Sequence, residues 1–163
     1  MKIISIEKNH FTEIANIYRQ GLETGHATFE TTVPSWEDWD KGKLSHSRLA
    51  AVSNDTVVGW AALSAVSDRC VYGGVAELSI YIANDHKGKG IGKALMSKLI
   101  EQSEAHGIWT LQSGMFPENE ATVALHKSLG FRIIGYREKI GKLRDTWRDT
   151  IIMERRSTTT GIH

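Results

Sequence analysis

Val75-Ala76-Glu77-Leu78-Ser79-Ile80-Tyr81-Ile82 runs into Asn84-Asp85-His86-Lys87-Gly88-Lys89-Gly90-Ile91-Gly92, which leads into a helix-patterned segment, Lys93 to His106. The first run alternates in apolar character as a strand does, and the second is polar and studded with glycine. A strand, a glycine-rich turn and a helix in direct succession make a phosphate site. Unpaired N–H groups at the helix start point outward with the positive end of the helix dipole, and glycine lets a phosphate approach that backbone closely.

Working outward, Lys2 to Glu7 reads as a first strand, and Phe11 to Leu22 carries apolar residues at helical spacing. Ser35 before Trp36-Glu37-Asp38 signals the N-cap of a short second helix that ends before Gly42. Arg48 to Ser53 and Val57 to Ala65 read as a hairpin across Asn54-Asp55-Thr56, and Ser64 to Gly74 as a loop. After Gly107, Trp109 to Met115 makes a strand, so residues 75–115 form a strand-helix-strand unit of the kind that builds parallel sheet. A fourth helix, Glu120 to Leu129, ends at Gly130, and Phe131 to Lys139 and Thr146 to Arg155 close the chain as strands. The expected fold is mixed α/β (α+β): a central mixed β-sheet flanked by helices, forming one domain over 1–156 with a flexible tail over 157–163.

The 163 residues carry 20 Lys and Arg against 19 Asp and Glu, a net charge of +1, so no global field recruits nucleic acid or an acidic membrane. A nucleic-acid partner is further disfavoured because no basic stripe with interleaved aromatics is present. Cys70 is the only cysteine, which excludes an intrachain disulfide. With neither a signal-peptide pattern nor an apolar run of about 20 residues, the expected location is cytoplasmic and away from the membrane. Seven histidines invite a metal hypothesis, but no His-x-x-x-His or Cys-x-x-Cys pair occurs, so no metal is expected.

Two nucleotide sites can be tested against the turn. A P-loop needs Ser or Thr after Gly-Lys, and Gly92-Lys93 is followed by Ala94. A Rossmann turn needs a third glycine three residues after Gly90, where Lys93 stands. Neither fits. Lys87-Gly88-Lys89-Gly90-Ile91-Gly92 instead resembles the Gln/Arg-x-x-Gly-x-Gly/Ala acetyl-CoA motif of the GCN5-related N-acetyltransferases, with Lys87 in place of the usual Arg or Gln. Asn119-x-x-Thr122-x-x-Leu125-His126-x-x-x-Gly130-Phe131 resembles a second block of that family, with His126 in place of its Tyr. Ala76-Glu77-x-x-x-Tyr81 with Leu125-His126 is similar to the phosphinothricin acetyltransferase branch, as are Ala27-Thr28-Phe29-Glu30-Thr31, Arg69-x-x-Tyr72 and Gly141-x-x-x-x-x-Trp147-x-Asp149. Val75 departs from that branch, where Thr is frequent.

The resemblance implies acetyl-CoA as cosubstrate, held by Lys87 to Lys93, Asn119 and Thr122, with backbone groups near Ile80, Tyr81 and Ile82 on the pantetheine arm. It implies direct acetylation of the amine of a small amino acid or analogue, of the phosphinothricin, methionine sulfoximine, methionine sulfone or arsinothricin type. Glu77 shares a strand face with Ser79 and Tyr81 and is the candidate base for the attacking amine. His126 is the candidate proton donor to the departing thiolate. A guanidinium can hold an acid group with two hydrogen bonds, so Arg69, with Tyr72 beside it, is the candidate substrate cation, and Phe29 a candidate wall. The branch is commonly dimeric, so a homodimer is expected. The alternatives are a protein or peptide N-terminal acetyltransferase and a coenzyme A-binding module without catalysis.

Overall fold

The structure, a computed structural model, describes residues 1–163. Its elements in chain order are β1 (Lys2–Ser5), α1 (Phe11–Thr24), α2 (Trp36–Gly42), β2 (Leu49–Ser53), β3 (Thr56–Ala65), β4 (Val75–Ile82), α3 (Ile91–Ala105), β5 (Thr110–Met115), α4 (Glu120–Ser128), β6 (Arg132–Leu143) and β7 (Thr146–Arg156). Single 3-10 turns occupy Lys8–His10, Cys70–Tyr72 and Asn84–His86. No helix is long and apolar enough to cross a membrane.

The seven strands form one sheet in the order β1-β2-β3-β4-β5-β7-β6. All neighbours are antiparallel except β4 and β5, the pair joined by α3. This is the mixed α/β sheet flanked by helices that the sequence leads one to expect. Local chemistry explains the elements. Asn54 and Asp55 both take positive φ, which matches the twist of a two-residue hairpin turn between β2 and β3. The Ser35 side chain accepts a hydrogen bond from Asp38 N at 3.2 Å and caps α2.

Each sheet face has its own core. On one face α3 inserts Leu95, Met96 and Leu99 against Leu63, Leu78 and Leu111. On the other, Ile14 and Ile17 of α1 and Trp39 of α2 pack on Trp60 and Ala62. Alternation along β4 serves both faces, with Leu78, Ile80 and Ile82 toward α3 and Tyr81 toward α1.

β1 stops at Ser5 and α1 runs on to Thr24, and three further departures from the sequence reading have a visible cause. α3 begins at Ile91, two residues before Lys93, because Gly90 at φ +80° already serves as its N-cap. β6 continues past Lys139 to Leu143 through an irregularity in which Lys139 takes φ +45° and its N–H bonds to Asp149 Oδ1 at 2.7 Å. Residues 157–163, expected as a flexible tail, carry specific contacts. Ser157 is buried and its N–H bonds to Trp109 O at 2.8 Å, while Arg156 Nη2 donates to Gly161 O at 2.7 Å.

Candidate active site

The sheet splits at one place. β4 and β5 pair only from Val75–Thr110 to Glu77–Gln112, whereas β4 stays with β3 to Ile82 and β5 stays with β7 to Met115. Beyond Glu77 the two central strands part, leaving the facing edge of Leu78 to Ile82 without a strand partner. A cleft of about 630 Å³ occupies the split. Glu77 stands at the fork, β4 residues from Leu78 to Ile82 form one wall, and Ser113, Gly114 and Met115 form the other.

At its far end the cleft is closed by the glycine turn. Lys87, Gly88, Gly90, Ile91, Gly92 and Lys93 line it, and Lys89 does not. Gly88 and Gly90 have φ of +75° and +80°, with open space where a Cβ would stand, so backbone conformation requires glycine there. Gly92 answers to packing, since a Cβ there would lie 3.1 Å from Leu125 Cδ2 of α4. No side chain caps α3, so its first N–H groups remain available at the cleft with the positive end of the dipole behind them.

α4 supplies the opposite rim. Asn119 is its N-cap, accepting from Thr122 N at 3.4 Å, and both residues line the cleft. His126 lines it too but is 1% exposed, edge-on to Phe131 with ring centroids 5.0 Å apart. Its Nδ1 lies 2.7 Å from Thr122 O and its Nε2 3.0 Å from Ser113 Oγ. A carbonyl oxygen only accepts, so Nδ1 carries the proton and Nε2 accepts from the Ser113 hydroxyl. Burial lowers the His126 pKa, with the Thr122 carbonyl opposing, so the imidazole is neutral with no N–H aimed into the cleft.

Toward the other end of β4 from Glu77 the wall is aromatic. Tyr81 packs with Tyr18, centroids 4.9 Å apart, and with Trp60, at 5.1 Å, and those two rings also meet each other at 5.7 Å. Burial drives the Tyr81 pKa far up and the nearby Tyr18 phenol adds to that, so Tyr81 is a neutral phenol. Ala27 and Thr28, in the loop after α1, complete this end. That loop is tied to the far side of the sheet by Arg148, whose Nη1 donates to Gly25 O at 2.7 Å, and by Arg144, whose Nη2 donates to Leu22 O at 3.2 Å.

Glu77, His126 and every expected coenzyme residue except Lys89 are therefore brought to one cleft. The expected substrate residues are not. Phe29 packs edge-on against Phe116 at 5.0 Å and against Gly141, so it plugs the loop to the sheet while its neighbour Thr28 reaches the cleft. Arg69 and Tyr72 are exposed, with the guanidinium 5.6 Å from the Tyr72 ring centroid, and neither lines the cleft. Ser113 and Thr28 are cleft residues that sequence reasoning missed. Thr28 lay within a matched motif, but nothing in the sequence signals that Ser113 faces His126.

A model of the Acetyltransferase (GNAT) family matches residues 11–131. The L-methionine sulfoximine/L-methionine sulfone acetyltransferase of Pseudomonas paraeruginosa is 35% identical over 81 residues, 50% of this chain and 47% of that protein, so the match spans about half the relative's length. The phosphinothricin N-acetyltransferase of Alcaligenes faecalis is 30% identical over 149 residues, 87% of this chain and 75% of its own. Among solved structures, a phosphinothricin acetyltransferase from Sinorhizobium meliloti in complex with AcCoA superposes with a TM-score of 0.89 at 28% identity, over 99% of this chain and 91% of that one.

Proposed function

This chain belongs to the acetyltransferase (GNAT) family, and we propose that it transfers the acetyl group of acetyl-CoA directly to the amine of a small amino acid or analogue, of the methionine sulfoximine, methionine sulfone or phosphinothricin type. The observation that carries the reading is the split between β4 and β5, with a carboxylate at the fork and a glycine-framed helix start at the other end. The cleft suits a long cosubstrate with a pyrophosphate at one end and a thioester at the other. Phosphate oxygens would meet the free N–H groups of Ile91 to Lys93, with Lys87 and Lys93 beside them. The unpaired edge of Leu78 to Ile82 would hold the pantetheine arm as an added strand partner and polarise the acetyl carbonyl.

Glu77 takes the proton that the amine must lose before its nitrogen attacks the acetyl carbon. As the C–N bond forms and the C–S bond breaks, charge collects on sulfur. His126 Nε2 holds Ser113 Oγ at the cleft wall until transfer; Ser113 then gives up that bond to turn its single hydroxyl hydrogen to the sulfur, and the second proton of the acylated nitrogen passes to the departing thiolate as the amide forms. The sequence-based role of His126 as direct proton donor thus becomes a positioning role in this reading. The chain is proposed to act in the cytoplasm as a homodimer, the latter supported by exposed Tyr136, Ile140 and Trp147 on β6 and β7.

The test is thiol release from acetyl-CoA against phosphinothricin, methionine sulfoximine, methionine sulfone, ordinary amino acids, polyamines and peptides. Release with amino-acid analogues is expected. Release with peptides alone would point to N-terminal acetylation, and tight coenzyme binding with no release would point to a non-catalytic module. Glu77→Gln is expected to lower kcat by roughly 100-fold or more while leaving the coenzyme Kd unchanged.

A further inference from the structure

We infer that Lys43 is the residue that holds the acceptor's carboxylate, and so selects amino acids over simple amines. The inference rests on the reading of the acceptor as an amino acid.

Lys43 follows α2 directly, and its N–H closes that helix on Trp39 O at 3.1 Å. Its side chain passes over Trp60, with Nζ 6.0 Å from the ring centroid, and Nζ donates to Ser64 Oγ at 3.3 Å. An ammonium has three donors. This long bond to a neutral hydroxyl is the only one its side chain makes, and no carboxylate is in ion-pair contact with it. Burial lowers the Lys43 pKa, while the fields of Glu77 and Glu30, both acting through space, oppose the fall. A partly dehydrated ammonium with open donors is costly unless an anion completes it.

Its place makes that anion the acceptor's. Ser64 of β3 stands directly opposite Glu77 of β4, so the two side chains share one sheet face. Glu77, Ser64 and Lys43 Nζ therefore form a row. The amine and carboxylate of an α-amino acid hang on one carbon, so their partners must be near neighbours, as the two ends of this row are. Lys43 itself lines a second cavity of about 350 Å³, with Tyr18, Glu30 and Asp38, and meets the main cleft only through Ser64. Tyr18 stacks on Tyr81, which stands opposite Trp60 at the other end of β4 from Glu77, so the second cavity borders the main cleft at its Tyr81 end, and Lys43 Nζ comes toward Glu77 only by reaching Ser64. Apart from Lys87 and Lys93 at the glycine turn, Lys43 is the one Lys or Arg lining either cavity. Arg69, the cation suggested by the sequence, lines neither.

The experiment compares methionine sulfone with its carboxamide, in which the amine is kept and the carboxylate lost. Acetyl transfer gives KM and kcat, and calorimetry with coenzyme A bound gives Kd without turnover. Wild type is expected to prefer the acid. Lys43→Met, which keeps the aliphatic stem over Trp60, should weaken the acid by roughly 10- to 100-fold and leave the carboxamide within about 2-fold. Lys43→Arg should recover most of the loss, and Arg69→Ala should leave the acid-to-amide ratio in place. Equal loss for both ligands would mean that Lys43 serves packing alone, and an unchanged ratio would mean that it does not meet the carboxylate; either overturns the inference. So does a ratio erased by Arg69→Ala, or the absence of binding by both ligands. Should no amine be acetylated, the proposed reaction falls, and the calorimetric ratio decides the role of Lys43 independently.

Discussion

The His126 imidazole is held between a backbone carbonyl and the Ser113 hydroxyl with almost no exposed surface, and both its place and its protonation follow from that. Burial depresses its pKa, so on acidification the unfolded chain takes up a proton before the native one does. The stabilising contribution is then full above the ordinary histidine pKa of about 6.5 and is lost as pH falls from there through the folded value. His46, with a pKa lowered by burial and then by the stacked His106 ring, adds in the same direction. The midpoint of urea unfolding should therefore fall between about pH 7 and pH 5, and His126→Gln should flatten that slope at the cost of lower stability at neutral pH. Ser113→Ala tests the positioning role. It should lower kcat, leave coenzyme affinity unchanged, and make a following His126→Gln change nearly silent in kcat. Fully additive losses would show that the two residues act separately. His126 was legible as a residue type inside a motif. Ser113 was not, because contact between β5 and α4 is made by tertiary packing, and no local pattern encodes it.

At the scale of elements, the turn into α3 divides its glycines by the reason each is needed. Gly90 and Gly88 have room for a side chain but a backbone that disfavours one, whereas Gly92 has helical geometry but little room beside Leu125. Gly90→Ala should cost about 1 to 2 kcal/mol of stability through strain at positive φ, measured by denaturant unfolding. It should also weaken coenzyme binding as the turn relaxes from its N–H groups. Gly90→Asn should be milder on both counts, because Asn tolerates the left-handed region. Gly92→Ala should act differently, moving α4 by way of Leu125 and so weakening the Asn119 and Thr122 rim with less effect on backbone strain. The strand-turn-helix unit itself was readable from alternation, glycine spacing and helical periodicity. The split between β4 and β5 was not, because the apolar pattern of Leu78 to Ile82 is the same whether the strand's neighbour is another strand or a cleft. The extension of β6 to Leu143 was hidden for a related reason: it depends on the Asp149 side chain of β7 bonding Lys139 N across the ladder.

For the molecule as a whole, the cleft and the outer edge of the sheet make separate demands. The cleft is framed within one chain by β4, β5, the glycine turn and the start of α4. β6, at the end of the sheet order, is an edge strand with Ile133, Ile134, Tyr136 and Ile140 exposed, and Trp147 of β7 is 55% exposed beside it. An exposed apolar edge of this extent is stable in water when another surface covers it. Light scattering coupled to size exclusion should therefore give twice the chain mass of 18.2 kDa, and Ile140→Glu with Trp147→Glu should shift the species to one chain. The monomeric variant should bind coenzyme A with unchanged Kd, because the charge changes lie outside the cleft. Its acceptor KM carries the remaining information. Arg144 and Arg148, at the hairpin and on β7, reach back to Leu22 O and Gly25 O and so fix the loop that carries Thr28 into the cleft. If the covered edge steadies that hairpin, the monomer will show a raised acceptor KM with an unchanged coenzyme Kd. If both constants are unchanged, association and catalysis are independent in this fold, and loss of coenzyme binding on monomerisation would mean that the single-chain cleft is incomplete.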